Sequence, residues 1–255
     1  VTFEHLKAAV GPALTAVLSY DYRTMRRDQG RALTGLTGRF AQDYRASAAT
    51  VAQAAQRSHA VVKATVRSIG VVDIQSSSGT CVVAVDQRAT NTMLTKPRLD
   101  RNRLTVHLRL VDGRLLMDDL QTDAELDMAT PVPDLAKMEA TAADAALRVN
   151  TYDYRKLEAW QSAISAVSTG SFEAEFRQTL PSLEPLLKQG HATSIASVHA
   201  VGVVDRNPQE PVLLVFIDQT LRNKSIPEGA VRRYRMVLTL TLQGNRFLLS
   251  DLVPI

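Results

Sequence analysis

Tyr20-Asp21-Tyr22-Arg23 sets phenols beside a carboxylate, and Tyr152-Asp153-Tyr154-Arg155 repeats the set. A carboxylate that takes a proton and a phenol that donates one are the working parts of an isomerase-like or dehydratase-like site. Consecutive helical residues point about 100° apart, so the three cannot all face one cavity. The structural reading is therefore preferred. Asp21 and Asp153 cap the following helix, Arg23 and Arg155 pair nearby, and the tyrosine rings pack with wet hydroxyls.

Asp86-Gln87 and Asp218-Gln219 end two apolar runs, Val82 to Val85 and Leu213 to Ile217. One member of each pair faces the concave side of a sheet. There it lines a ligand pocket or bonds a neighbouring strand end, so Asp86, Gln87, Asp218 and Gln219 are the candidate pocket residues. His59 and His191 each precede an alanine and are expected at a strand start, with no second ligand at metal spacing. Cys81 is the single cysteine, which excludes an intrachain disulfide and a cysteine metal cluster. It stands opposite Leu213, as a small buried apolar side chain would. His107 stands opposite Thr239 and reads as a surface residue. No glycine-rich phosphate loop and no nucleophile elbow occur. The expectation is no catalytic residue, no metal and no cofactor.

These correspondences come from one alignment of the chain with itself at an offset of 132. Residues 20–120 and 152–252 share 29 identities in 101 positions without a gap. Gly70-Val71-Val72-Asp73 meets Gly202-Val203-Val204-Asp205, and Thr37-Gly38 meets Thr169-Gly170. A repeat this long marks two domains, not a solenoid. We expect domains over 1–120 and 135–255, joined by an acidic linker over 121–134 that carries prolines. YDYR thus marks a duplicated fold, not two active sites.

Charge is uneven. Residues 1–120 carry 17 basic and 10 acidic side chains, while 121–139 carry one and five. The arginines are scattered, without a basic run or interleaved aromatics, so the reading is a solvated surface and no nucleic-acid partner. No run of some 18 apolar residues is present, so the given chain has no membrane span.

Each copy reads helices first, strands after. Phe3, Leu6, Val10, Leu14 and Val17 form one face of a helix, as do Leu135, Met138, Ala142, Ala145 and Val149. Gly11-Pro12 kinks the first of these helices or resets its start. A short helix is expected over about 24–34. Thr37 and Thr169 stand as N-caps of a third helix, with Phe40 and Tyr44, or Phe172 and Phe176, four apart on one face. Pro181 and Pro185 should shorten or bend that helix in the second copy. Period-two patterns then predict strands, the first closed or bent at Gly70 and Gly202. Asp112-Gly113 and Gly244-Asn245 are two-residue hairpin turns. The order is αααββββ twice, an α+β protein.

The wording LSYDYRTM, LTGLTGRFAQDYRAS, VVKATVRSIGVVD, VAVDQRAT and KPRLDRNRLTVHLRLVDGRLLMDDL resembles the Mce-associated membrane proteins of actinobacteria. The resemblance covers nearly all of the first copy and, more weakly, the second. It implies two tandem NTF2-like cone domains, each three helices and a curved four-stranded antiparallel sheet. It implies a non-catalytic accessory that stabilises or bridges an Mce-type lipid importer of the cell envelope. Its partners would be Mce-type transporter subunits or related envelope proteins, and lipid. Its place would be the outer, periplasmic side of the cytoplasmic membrane, held by an N-terminal helix absent from this chain. The family's usual strand Asn is Asp86 and Asp218 here, and its usual Trp is Leu115 and Phe247. Small-molecule binding, of a lipid or sterol in one or both cones, is the alternative. By analogy with NTF2-like dimers, the two repeats are expected to form an intramolecular pseudo-dimer.

Overall fold

The computed structural model describes residues 1–122 and 133–255, so most of the expected linker lies outside the described residues. The chain divides into two compact units, Val1–Ala124 and Glu125–Ile255. The first contains α1 (Phe3–Leu18), β1 (Tyr20–Asp21), α2 (Met25–Leu33), α3 (Gly38–Ser58), β2 (Val61–Ile74), β3 (Ser78–Thr90), β4 (Arg98–Val111) and β5 (Arg114–Thr122). The second contains α4 (Pro133–Asn150), β6 (Tyr152–Asp153), α5 (Leu157–Ser165), α6 (Gly170–Gly190), β7 (Thr193–Asp205), β8 (Val212–Asn223), β9 (Ile226–Gln243) and β10 (Arg246–Pro254). Within each unit the long strands form an antiparallel meander in chain order, and the two-residue strand pairs with the first of them. Both units are α+β with the NTF2-like order of elements: three helices, then a bent four-stranded sheet.

The bend has a local cause that both copies keep. Extra residues interrupt the ladder between Val66 and Ser68 and between Val71 and Asp73 in β2. The same two bulges fall between Val198 and Ala200 and between Val203 and Asp205 in β7. A bulge raises local twist and bends its strand. Gly70 and Gly202 therefore do not end their strands. Gly70 pairs with Val82 and Gly202 with Leu214, in the stretch between the bulges. The last strands are bulged alike, between Met117 and Asp119 and between Leu249 and Asp251.

The long first helix of each unit lies on its sheet. Phe3, Leu6, Val10 and Leu14 are buried at i, i+3, i+7 and i+11. Thr2 caps α1, its Oγ1 accepting the His5 N–H at 3.3 Å. Pro12 neither kinks the helix out of existence nor starts it, because Pro12 and Ala8, whose carbonyl loses a donor, both face solvent. The same physics corrects the expectation for α6. It runs unbroken over 21 residues, as α3 does, despite Pro181 and Pro185. The two prolines are four apart on the exposed face, while Leu180 and Leu187 anchor the opposite face. The carbonyls that lose a donor belong to Arg177 and Pro181, both exposed and open to water, so packing outweighs the lost bonds.

Thr37 and Thr169 occupy the N-cap positions but do not cap with their side chains. Thr37 Oγ1 donates to Asp118 Oδ1 at 2.8 Å, and Gln243 Nε2 donates to Thr169 Oγ1 at 2.6 Å. Their backbones clip the same turn to the last strand. Thr37 N–H meets the Met117 carbonyl at 2.9 Å, and Thr169 N–H meets the Leu249 carbonyl at 2.8 Å. Asp112 and Gly113 both take positive φ, 48° and 77°, as a type I′ turn needs. In the second hairpin Gly244 alone does, at 62°.

Cores are aliphatic. Cys81 through Val85 and Leu213 through Ile217 are all buried. Burial pushes the Cys81 thiol up to about 12, so the thiolate is not formed at neutral pH. Gly79 is required by close approach. A Cβ there would sit 2.5 and 2.7 Å from the Leu6 methyls and 3.1 Å from the Asp73 carbonyl oxygen. Gly79→Ala is expected to destabilise the protein by about 1–3 kcal/mol, read as a lower denaturation midpoint. An unchanged midpoint would show that Leu6 repacks freely.

Glu139 of α4 is 2 % exposed, and neither carboxyl oxygen has a hydrogen-bond partner among the described residues. Burial raises its carboxyl from 4.5 to about 8. The folded state then holds a proton that the unfolded chain has lost between those values. Stability should fall as pH rises from 4.5 to about 8. Glu139→Gln should flatten that slope in urea titrations across the range, and an identical slope in the variant would refute the assignment.

Candidate functional site

The duplicated motif builds the same turn twice. After α1, Ser19 Oγ accepts the Ala64 N–H at 3.0 Å, and after α4 Thr151 Oγ1 accepts the Ala196 N–H at 3.1 Å. Tyr20 and Asp21 then pair with Val62 and Val61, as Tyr152 and Asp153 pair with Ser194 and Thr193. The motif is thus a short strand and turn, not a helix. Alternate strand residues point to opposite faces, so helical spacing does not govern where these side chains lie.

Asp21 is not the cap of α2. Its Oδ1 accepts the Arg23 backbone N–H at 2.9 Å, and its two oxygens take the Arg23 guanidinium at 2.9, 3.2 and 2.5 Å. Asp153 and Arg155 repeat this at 2.9 Å for the backbone and 2.9, 3.1 and 2.5 Å for the fork. The arginine side chain and backbone N–H hold both carboxyls at about 2. An acid held so low is a poor proton acceptor at neutral pH. Tyr20 and Tyr152 are shifted the other way, upward, chiefly by burial. Their phenols stay protonated.

Tyr22 and Tyr154 stack on the shared histidines. Tyr22 lies 4.8 Å from His59 with a 22° interplanar angle, and Tyr154 lies 4.8 Å from His191 at 5°. The Arg23 and Arg155 guanidinium carbons each sit 5.6 Å from the neighbouring tyrosine ring centroid. His59 and His191 do not begin strands. They are the left-handed C-caps of α3 and α6, at φ 51° in both. The sequence signal for this partnership was the two His-Ala pairs at the motif's own offset; nothing local pointed from tyrosine to histidine.

Behind the turn the copies differ. Asp28 is buried in α2, its Oδ2 accepting from the Asp21 N–H at 3.1 Å and the Thr24 hydroxyl at 2.7 Å. Arg31 donates to its Oδ1 at 3.2 Å. The matching residue of the second unit is Trp160, whose Nε1 donates to the Arg148 carbonyl at 3.0 Å. Its ring meets Tyr152 and Phe176 at 5.2 Å each. One unit fills this place with a polar knot, the other with an aromatic cluster. Sequence reading missed Asp28, because an acid between arginines looks like any solvated helix face.

Gln87 and Gln219 point to the helix side. Gln87 Nε2 donates to the Leu18 carbonyl at 3.1 Å, and Gln219 Nε2 donates to the Asn150 carbonyl at 3.0 Å. Each closes the C-terminus of the long helix, where carbonyls otherwise lack donors. Asn102 Nδ2 donates to Gln87 Oε1 at 2.7 Å. Asp86 faces the other way, 3.7 Å from Arg67, and Asp218 lies at the matching position. None of the four lines the clefts at the two motifs or the groove beside the start of α1.

A cleft opens at the motif in each unit, of about 390 Å³ in the first and about 490 Å³ in the second. Tyr20, Asp21 and Arg23 line one, and Tyr152, Asp153 and Arg155 the other. Arg27, Arg31 and Lys63 complete the first with positive charge, and Lys156 and Arg222 the second. Among the described residues no group of three or more His, Cys, Asp or Glu is placed to hold a metal ion. Among them, too, no helix is long and apolar enough to cross a membrane.

Residues 5–121 match the family model described as uncharacterized protein Rv1363c/MT1408-like. No curated protein matches the chain. Among solved structures the chain is similar to an IcmL-like type IV secretion system protein of Legionella pneumophila, at 16% identity over 47% of this chain and 92% of that one, with a TM-score of 0.40. It is also similar to the periplasmic domain of DotI, at 16% identity over 47% and 94%, with a TM-score of 0.41. An Ntf2-like protein involved in plasmid conjugation aligns over 100% of this chain and 97% of its own, at 11% identity and a TM-score of 0.32.

The arginine forks make an acid-sensitive contribution to stability. Both carboxyls fall from 3.8 to about 2 on folding, so the contribution is present above 3.8 and is lost as pH drops toward 2. Asp21→Asn combined with Asp153→Asn should lower stability at neutral pH and shrink the loss between 3.8 and 2. Thermal melts at both pH values give the comparison; equal acid losses in variant and parent would count against it.

Proposed function

We propose that the protein is a non-catalytic accessory of a cell-envelope lipid-import assembly of the Mce type. In this reading it stabilises or bridges transporter subunits on the outer side of the cytoplasmic membrane. A helix preceding Val1 holds it there. The observation that carries the reading is the duplicated motif, whose wording resembles the Mce-associated proteins and whose groups are all engaged in holding the fold. Asp21 and Asp153 are forked by arginine, and Tyr22 and Tyr154 are stacked on histidine. Side chains committed in this way suit a rigid scaffold with exposed surfaces for partners.

A second reading, a lipid- or sterol-binding protein, is favoured by one feature of the first unit. A groove of about 640 Å³ lies between the start of α1 and the β4–β5 hairpin, lined mainly by small and apolar residues that include Ala8, Ala9, Leu110 and Leu115. That volume is in the range of ligand sites. In the second unit Lys137 spans the matching place, donating to the Asn245 carbonyl at 3.1 Å with its Nζ 5.7 Å from the Phe247 ring centroid.

The test is capture of the full-length protein from native membranes after gentle crosslinking, read by mass spectrometry. Enrichment of Mce and permease subunits over an unrelated membrane protein is the expected result. Their absence, together with a lipid extracted from the purified protein, would replace the scaffold with the binder.

A further inference from the structure

The two motif clefts share a property that their residues do not. In the first, four cations (Arg23, Arg27, Arg31 and Lys63) face two carboxylates, Asp21 and Asp28. In the second, three cations (Arg155, Lys156 and Arg222) face one carboxylate, Asp153. Each lining therefore carries an excess of two positive charges. Only the motif arginine is common to both. At the positions of Arg27, Arg31 and Lys63 the second copy has Ala159, Ala163 and Ile195. Its own cations replace Thr24 and Thr90. The charge has been kept while the residues carrying it have moved.

Ion pairs do not take up that excess. Lys63, Lys156 and Arg222 are exposed and make no ion pair among the described residues, and Arg27 reaches Asp28 only at 3.9 Å. Hydroxyl side chains also line both clefts, Ser19 in one, Thr151 and Thr193 in the other. Cations and O–H donors converging on one concavity match an oxyanion with several charged oxygens.

We infer that each motif cleft is a binding site for a phosphate-type anion, either the head group of an anionic phospholipid or a soluble phosphate. The inference does not depend on which assembly the protein serves.

The experiment uses the whole chain, labelled for amide NMR, titrated with inorganic phosphate against chloride at matched ionic strength. Shifts specific to phosphate are expected at residues 19–31 and 151–160. Flotation with vesicles of equal phosphatidylglycerol and phosphatidylcholine, against phosphatidylcholine alone, separates the two sources. The variant Arg27→Gln, Lys63→Gln, Lys156→Gln, Arg222→Gln changes exposed groups only and should keep the parent spectrum elsewhere. It should lose the phosphate shifts and weaken any vesicle binding by about tenfold or more. If those four changes disturb the fold, Lys63→Gln with Lys156→Gln serves as the milder test. Local phosphate shifts with selective vesicle binding assign a lipid head group; the same shifts without vesicle binding assign a soluble phosphate. Equal shifts with chloride, or shifts that survive in the variant, would overturn the inference.

Discussion

The structure of each unit depends on how its first helix hands the chain to the sheet. The last carbonyls of a long helix have no donors of their own. Leu18 and Asn150 receive theirs from Gln87 and Gln219, which reach across from the second strand. The next side chain, Ser19 or Thr151, accepts an N–H of the first strand. Two residues of pairing follow, and then the aspartate–arginine fork turns the chain into the second helix. One place therefore joins a helix end, two strands and a turn. Each such bond contributes only about 1 kcal/mol net. Leaving its buried partner bare costs more, which makes the set hard to lose piecemeal.

The second joint is the end of the third helix. There the chain enters the left-handed region at a histidine, an uncommon place for a residue with a Cβ. The ring of Tyr22 or Tyr154 lies flat on that histidine, and the backbone N–H of the same tyrosine meets the Ala60 or Ala192 carbonyl at 3.0 Å. The motif therefore grips the first strand with its first half and the third helix with its second. The aspartates and the stacked tyrosines of the motif are used inside the fold, whereas Lys63, Lys156 and Arg222 beside it are exposed and make no ion pair among the described residues. In the proposed reading this positive rim is what a partner or a head group would meet.

The two copies also show which parts of this arrangement tolerate change. Bulges, turn, fork and stack recur at a constant offset. The space behind the turn does not, being closed by Asp28 with its donors in one unit and by Trp160 with its aromatic neighbours in the other. Both solutions satisfy the same rule: a buried group is either apolar or fully bonded. Among the described residues Glu139 departs from that rule: its carboxyl meets no donor there, and burial keeps it neutral up to about 8.

The sequence by itself determined the duplication, the α+β class and the order of elements. Those follow from identities at one offset and from apolar periods of 3.6 and 2, which are local properties of the chain. It also located the hairpin turns and the buried cysteine. What only the tertiary structure decided was which partner each polar side chain would take. Gln87 reads as a strand residue until a helix end 69 positions earlier lies beside it. Asp21 reads as a cap until the chain turns and Arg23 folds back onto it. Pro181 and Pro185 read as breaks until their face proves to be the exposed one, where a carbonyl without its donor is open to solvent. Tyr22 and His59 carry no mutual signal along the chain, because stacking depends on where two elements meet. Local preference is written in neighbouring residues; the choice among possible partners is made by the packing that brings distant ones together.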